Sequence, residues 1–364
     1  MRHTRRHHLV RPRDRARTRR FGAIGLVLLV SLAACGDDGG GSSGSEQGTT
    51  ITLVTHDSFA VSDGTLAAFE KESGITVKVL PTGDAGEMIS RAILTAGKPE
   101  GDVLYGVDNT FLQRALNAKL FNAYKPPALA DVSDDLQLDS SHRVTPIDVG
   151  DVCLNYSKAA FTSAAPPASL DDLTKPAYKG AFVTENPETS SPGFAFLLAT
   201  IAKYGDKGWE DYWQKLRANG VDVVNGWEQA YNEAFAGGKG QRSIVTSYAS
   251  SPVAEVVYSE PKVSTPPTAV ITDSCFRQVE FAGVLRGTSH EKAAQKLVDF
   301  MLSPTFQNDV PLNMFVYPAS SKATLPDDFV KYSVKIDKPL TLDPKTIEKN
   351  RADWTKRWTE IVLR

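Results

Sequence analysis

From Thr49 onward the chain alternates strand and helix patterns, and that order leaves few folds open. Ile51-Thr-Leu-Val-Thr55 reads as a strand, and Ser62 or Asp63 can cap a helix through Leu66, Ala67 and Phe69 that stops at Gly74. Val77-Lys-Val-Leu80 is the next strand. Asp84 can cap a helix bearing Met88, Ile89, Ala92 and Ile93 and closed by Gly97, and Asp102-Val-Leu-Tyr-Gly-Val107 follows as a third strand. A β-α-β-α-β order predicts the α/β class, with a mainly parallel sheet covered on both faces. Ligands of such sheets sit at the carboxyl ends of the strands. Those ends carry His56-Asp57-Ser58, Thr82-Gly83-Asp84 and Asp108-Asn109. Each group alone is turn or cap chemistry; three at one edge point to a ligand face.

The middle of the chain reads as a second α/β lobe, which 364 residues can accommodate. Val144 to Tyr156 is apolar and extended, interrupted by Asp148, Gly150 and Asp151. A short strand at Gly180 to Val183 leads into Glu185 to Gly205, where polar turn residues pass into the apolar run Phe194 to Ile201. Ser190 or Ser191 suits an N-cap there, with Pro192 at the first helical position. Most Ser-Pro caps only start helices, but such a start also attracts an anion or the polar end of a ligand. Further strands are expected at Val221 to Val224, Ser243 to Tyr248 and Cys275 to Leu285.

Tryptophan spacing separates core from site. Trp209 and Trp213 are four apart, as are Trp354 and Trp358, so each pair shares a helix face and reads as packing. Trp227 differs, because it follows Asn225-Gly226 at a strand end, with Tyr231 one turn on. Tyr248 also closes a strand. An aromatic ring so placed can stack a flat or cationic ligand for about 0.5–2 kcal/mol. The alternative for Trp227 is that it caps the second lobe's core.

The N-terminus is an address. Nine Arg against one Asp in the first twenty residues are followed by the uncharged run Phe21 to Ala34, too short to span a bilayer. The remaining chain is acidic, at −10 where the whole carries −2, which argues against nucleic acid and favours a cationic ligand. Leu32-Ala33-Ala34-Cys35 resembles a bacterial lipobox, implying cleavage after residue 34 and lipidation of Cys35, with 35–48 as a flexible tether; the alternative is an ordinary secretory signal with an incidental Cys. The expectation is an exported protein, lipid-anchored on the outer face of the membrane. Arg19-Arg20 leaves general secretory and twin-arginine export both open. Cys153 and Cys275 remain; an even number in an oxidising compartment suggests one disulfide, with two separate buried thiols as the alternative. No P-loop, G-x-S-x-G, H-E-x-x-H or metal-ligand spacing occurs, and only His56, His142 and His290 lie beyond the signal region.

In order along the chain stand T-H-D-S-F-A (55–60), Y-G-V-D-N (105–109), T-S-S-P-G (189–193), N-G-W-E-Q-A-Y (225–231), S-Y-A-S-S-P (247–252) and F-V-Y-P (315–318). Together they resemble the thiamine-binding proteins of bacterial ABC importers, over about Ile51 to Arg364. The resemblance implies a two-lobed periplasmic-binding fold, type II-like, with a ligand cleft between lobes. Lobe 1 would comprise 49–143, continued by 286–364, and lobe 2 would comprise 150–273. The segments 144–156 and 274–285 would be the strands crossing between them. It further implies that Trp227, Tyr248 and Phe315 contact thiamine and that Asp84 meets its polar groups. Ser190, Ser191 and Gly193 would receive a phosphate on phosphorylated forms. His56, Asp57, Ser58, Asp108, Asn109, Tyr231 and Ser251 complete the expected ligand set. His56 stands where the family often has Tyr, and Phe315 where it often has Trp. The expected partners are thiamine or a phosphate ester, a membrane permease and the bilayer through the lipid, for a monomer with no cofactor. Two other classes stay open. One is a binder of another cationic solute such as a polyamine. The other is an enzyme resembling thiaminase I, with Cys153 as nucleophile. Ferric binders usually bring adjacent tyrosines, and no such pair occurs here.

Overall fold

The computed structural model describes residues 48–364. The signal segment, Cys35 and the tether as far as residue 47 lie outside the described residues. The chain runs β1 (Thr50–Thr55), α1 (Asp63–Ser73), β2 (Thr76–Pro81), α2 (Ala85–Leu94), β3 (Val103–Asp108) and α3 (Leu112–Asn117). Then come β4 (Thr145–Ser157), β5 (Phe182–Glu185), α4 (Ser191–Ala218) and β6 (Asp222–Val224). A π-helical segment (Glu228–Phe235), β7 (Ile244–Tyr248), α5 (Ser251–Val257) and β8 (Thr268–Val284) follow. The chain ends with α6 (Glu291–Met301), α7 (Pro304–Gln307), α8 (Val310–Asn313), β9 (Tyr317–Pro318), α9 (Asp327–Tyr332) and α10 (Pro344–Val362).

Local chemistry explains the helix ends. Gly74 takes φ 70° after α1 and returns its N–H to the Glu70 carbonyl, a left-handed cap that costs a side-chain-free residue little. Ser190 caps α4 by accepting from the Gly193 N–H, with Ser191 as the first helical residue and Pro192 one place later than expected. Gly205, at φ 70° and ψ 177°, breaks α4 into two arms, and Trp213 on the second packs on Phe196 and bonds Thr200 of the first.

One sheet runs through the molecule in the order β2-β1-β3-β8-β4-β7-β5-β6, with β9 paired to β4. The flanks β2-β1-β3 and β7-β5-β6 are parallel, as the alternation predicts. The centre is not. β8 pairs antiparallel with both β3 and β4, and β4 antiparallel with β7, so the sheet is mixed. The reason is topological: the chain crosses to the second half in β4 and returns in β8, and two crossings in opposite directions lie antiparallel. β8 begins at Thr268, earlier than the expected Cys275, because its first residues pair Ser157 to Leu154.

The paired tryptophans pack as expected. Trp209, Trp213 and Trp358 are fully buried, and the Trp213 and Trp358 rings meet edge to face at 5.4 Å. α10 therefore packs on α4, and it also reaches α3. Its Arg351 guanidinium lies between the rings of Phe111 and Phe194, 3.9 and 3.8 Å from their centres. Cys153 and Cys275 form a disulfide with Cα atoms 4.4 Å apart, in a bulge where β4 and β8 lose register.

Candidate functional site

A cleft of about 510 Å³ opens where β1, β2, β6 and β7 end, with β8 as part of its wall. His56 follows β1, Asp84 follows β2, Trp227 follows β6, and Tyr248 closes β7. The arrangement is that of a sheet whose strand ends face a ligand.

Asp84 is the point where the elements converge. Its carboxylate accepts from the Ala85 N–H at 2.6 Å, from the Trp227 N–H at 2.9 Å and from the Ser191 N–H at 3.4 Å. The start of α2, the start of α4 and the turn before the π-helix thus share one anion. Two glycines make this approach possible. A Cβ on Gly86 would come within 2.6 Å of the Glu188 and Thr189 carbonyl oxygens, and one on Gly226 within 3.1 Å of the Asp84 carboxylate. Burial pushes the Asp84 acid above its ordinary pKa, against the N–H donors of Trp227 and Ala85 that favour the ionised form.

The aromatic wall stands on the second half. Trp227 stacks on Tyr231 with ring centres 5.0 Å apart and planes 9° from parallel. The indole N–H donates to Ser247 Oγ at 2.9 Å, and Tyr231 donates to Glu255 at 2.8 Å. Trp227 also leans on the small core of Val183, Ala230 and Val245, so it both closes that core and lines the cleft. Tyr248 donates to Gln278 at 2.8 Å. Phe315 holds φ 56°, a strained conformation for a residue with a Cβ. Its carbonyl accepts from Ser250 Oγ and its ring meets Tyr258 edge to face.

On the floor, His56 Nε2 lies 3.3 Å from Glu280 and Nδ1 lies 3.0 Å from Ser58 Oγ. The Tyr105 hydroxyl contacts both Asp148 and Glu280. Gly106 explains part of the Y-G-V-D-N motif: at φ 111° it bulges β3, and a Cβ there would sit 2.4 Å from the His56 ring. Burial lowers the affinity of His56 for its proton, but Glu280 outweighs it and raises the pKa to about 9. Burial and the facing Glu280 carboxylate hold Asp148 well above the usual carboxylate range. For Glu280 burial works against ionisation, yet His56 brings it below its ordinary value.

Of the expected ligand set, His56, Ser58, Asp84, Ser191, Trp227, Tyr231, Tyr248, Ser251 and Phe315 line the cleft. The remaining residues of that set do not. Asp57 is exposed, and Asp108 is fully buried, accepting from Thr110, Phe111 and Gln278. Asn109 is spent on the backbone of Arg277 and Val279. Ser190 and Gly193 lie behind the wall, where a Cβ on Gly193 would press within 2.5 Å of the Glu185 carbonyl. The donors expected to take a phosphate are thus already engaged, by Asp84 at Ser191 and by Ser190 at Gly193. Cys153 is disulfide-bonded and 3% exposed, which removes it as a nucleophile. Glu280, Glu255 and Lys239 line the cleft without having been expected. The signal for Glu280 was a charged residue inside an apolar crossing strand, the same kind of break that marked Asp148.

Comparison with known proteins gives a consistent picture. Residues 99–339 match the family described as bacterial extracellular solute-binding protein. The chain is 30% identical to the thiamine-binding periplasmic protein of Salmonella typhimurium over 322 residues, 86% of this chain and 94% of that relative. It is 30% identical to the protein of the same description from Escherichia coli, with the same coverage. A solved structure described as a periplasmic thiamin binding protein superposes with a TM-score of 0.77 at 29% identity, covering 86% of this chain and 96% of the other.

Proposed function

Because this chain belongs to the bacterial extracellular solute-binding proteins, we propose that its cleft captures thiamine for delivery to the permease of an ABC importer. It is a binding protein and not an enzyme. The observation that carries the ligand is the cleft's lining. Five carboxylates (Asp84, Glu228, Glu255, Glu260 and Glu280) stand there against Lys239 and His56, among the rings of Trp227, Tyr231, Tyr248 and Phe315. Thiamine matches this with a permanent thiazolium charge and a flat aminopyrimidine, which rings and carboxylates bind by cation–π contact and charge-assisted hydrogen bonds. The names of the relatives support the same ligand.

The unphosphorylated form is favoured. Asp84 occupies the start of α4, where a phosphate would otherwise settle, and two anions there repel. Calorimetry with thiamine, its monophosphate and its diphosphate, on protein stripped by unfolding and refolding, tests both points. Wild type is expected to bind thiamine most tightly. Trp227→Ala should weaken all three forms alike, by about 1–2 kcal/mol. Asp84→Asn should narrow the gap between thiamine and its diphosphate by on the order of tenfold. An unchanged gap would put the phosphate elsewhere, and no heat with any form would end the thiamine reading.

Lobes of about 49–143 with 286–364, and 150–273, would close around the ligand by turning about the crossing strands. Export and a lipid on Cys35 would keep this monomer beside its permease. Cys35→Ala is then expected to move the protein from the membrane to the soluble fraction with thiamine affinity intact; retention in the membrane would rule out the lipid as the anchor.

A further inference from the structure

His56 faces more negative charge than an imidazole ordinarily meets. Glu280 reaches it from β8 at 3.3 Å, Asp148 lies behind from β4, and Asp84 approaches from the cap of α2. Tyr105 on β3 ties the first two carboxylates together, and Ser58 holds the other ring nitrogen. Glu280 outweighs burial and raises the imidazole pKa to about 9, while burial and the facing Glu280 carboxylate push Asp148 well above the usual carboxylate range. Imidazole 56 and carboxylate 280 thus stand 3.3 Å apart as one close pair on the cleft floor.

Both members of that pair line the cavity that takes the ligand. A thiazolium brings a second positive charge to the same carboxylate, in a site that water screens poorly. The thiazolium charge is permanent; the imidazolium charge is not. The geometry points to a proton exchange, in which the ligand's cation replaces His56 as the partner of Glu280 and His56 gives its proton to solvent. One proton leaves for each ligand bound, and charge on the floor is conserved. His56 is thus a resident cation that holds the place of the ligand's charge. This inference rests on the thiamine reading and adds how the site selects a fixed cation over a neutral analogue.

The sign follows from linkage. A group protonated in the free protein and deprotonated in the complex makes binding tighter as pH rises, by tenfold per unit for one proton. Thiamine affinity of the wild type should therefore climb roughly tenfold per unit from pH 7 to 8.5. Calorimetry at pH 7.5 in phosphate and in Tris, whose ionisation heats differ, should report close to one proton released. His56→Gln should release none and show a flat pH profile. As a check independent of any variant, NMR titration of the His56 imidazole should move its midpoint downward in wild type on thiamine loading. Thiamine binding with no proton released and an unmoved His56 midpoint would overturn the exchange while leaving the thiamine reading intact. Absence of thiamine binding in every buffer would overturn both.

Discussion

Replacing Cys153 and Cys275 together by alanine is expected to lower the free energy of unfolding by about 5 kcal/mol. The two cysteines are 122 residues apart, and the cross-link denies the unfolded chain the freedom of that loop. The folded state itself loses little, since the sulfurs sit in a small cluster with Ala249, Val270, Val334 and Ile336. Urea unfolding of the oxidised wild type and the double variant measures the difference. Because neither sulfur lines the cleft, thiamine affinity at a temperature where both proteins are folded should be unchanged. A loss of stability below about 1 kcal/mol would mean that the entropy of this loop does not hold the fold.

Trp213→Ala is the second large effect, expected at about 3–5 kcal/mol of stability. The side chain is 1% exposed, meets Phe196 and Trp358 edge to face at 5.4 Å each, and donates its indole N–H to Thr200 Oγ1 at 3.0 Å. Deleting it opens a large cavity between the second arm of α4 and α10, which the surrounding rings cannot fill without leaving their rotamers. Trp227→Ala gives the opposite pattern, with affinity lost and stability shifted less, because Trp227 is half-buried and one side of its cover is the cleft. Thermal unfolding and calorimetry on the two variants separate a packing tryptophan from a ligand-facing one. Equal stability losses in the two would mean that Trp227 serves the core first.

Much of this was legible from residue spacing. The strand-helix order, the caps at Asp84 and Ser190, the left-handed Gly74 and the four-residue spacing of the tryptophans all depend on neighbours close in sequence. They appear as read. The polar residues after β3 were read as ligand contacts but do not line the cleft, for a local reason. Asp108 turns its carboxylate back onto the N–H groups of Thr110 and Phe111, as aspartates after strands commonly do. What spacing could not give were the meetings of distant segments. Glu280 reaches His56 across more than two hundred residues, and Asp84 reaches Trp227 across 143. Nor could it show that Asp84 itself takes the helix start that Ser190 and Gly193 seemed to offer a phosphate. A helix start looks the same in sequence whether its anion comes from a ligand or from the chain.

The continuous sheet decides how the molecule can move. In mechanical terms, the pairing of β4 and β8 makes a flexure and not a pin joint: strands of thirteen and seventeen residues are hydrogen-bonded to each other and would bend as one strip. A pin swings freely until it meets a stop. A flexure stores work in proportion to its bend and returns it when released. Turning of the lobes would bend this strip, whose two leaves the disulfide joins at the bulge. The stiffness of that joint is then set by backbone pairing far from the ligand.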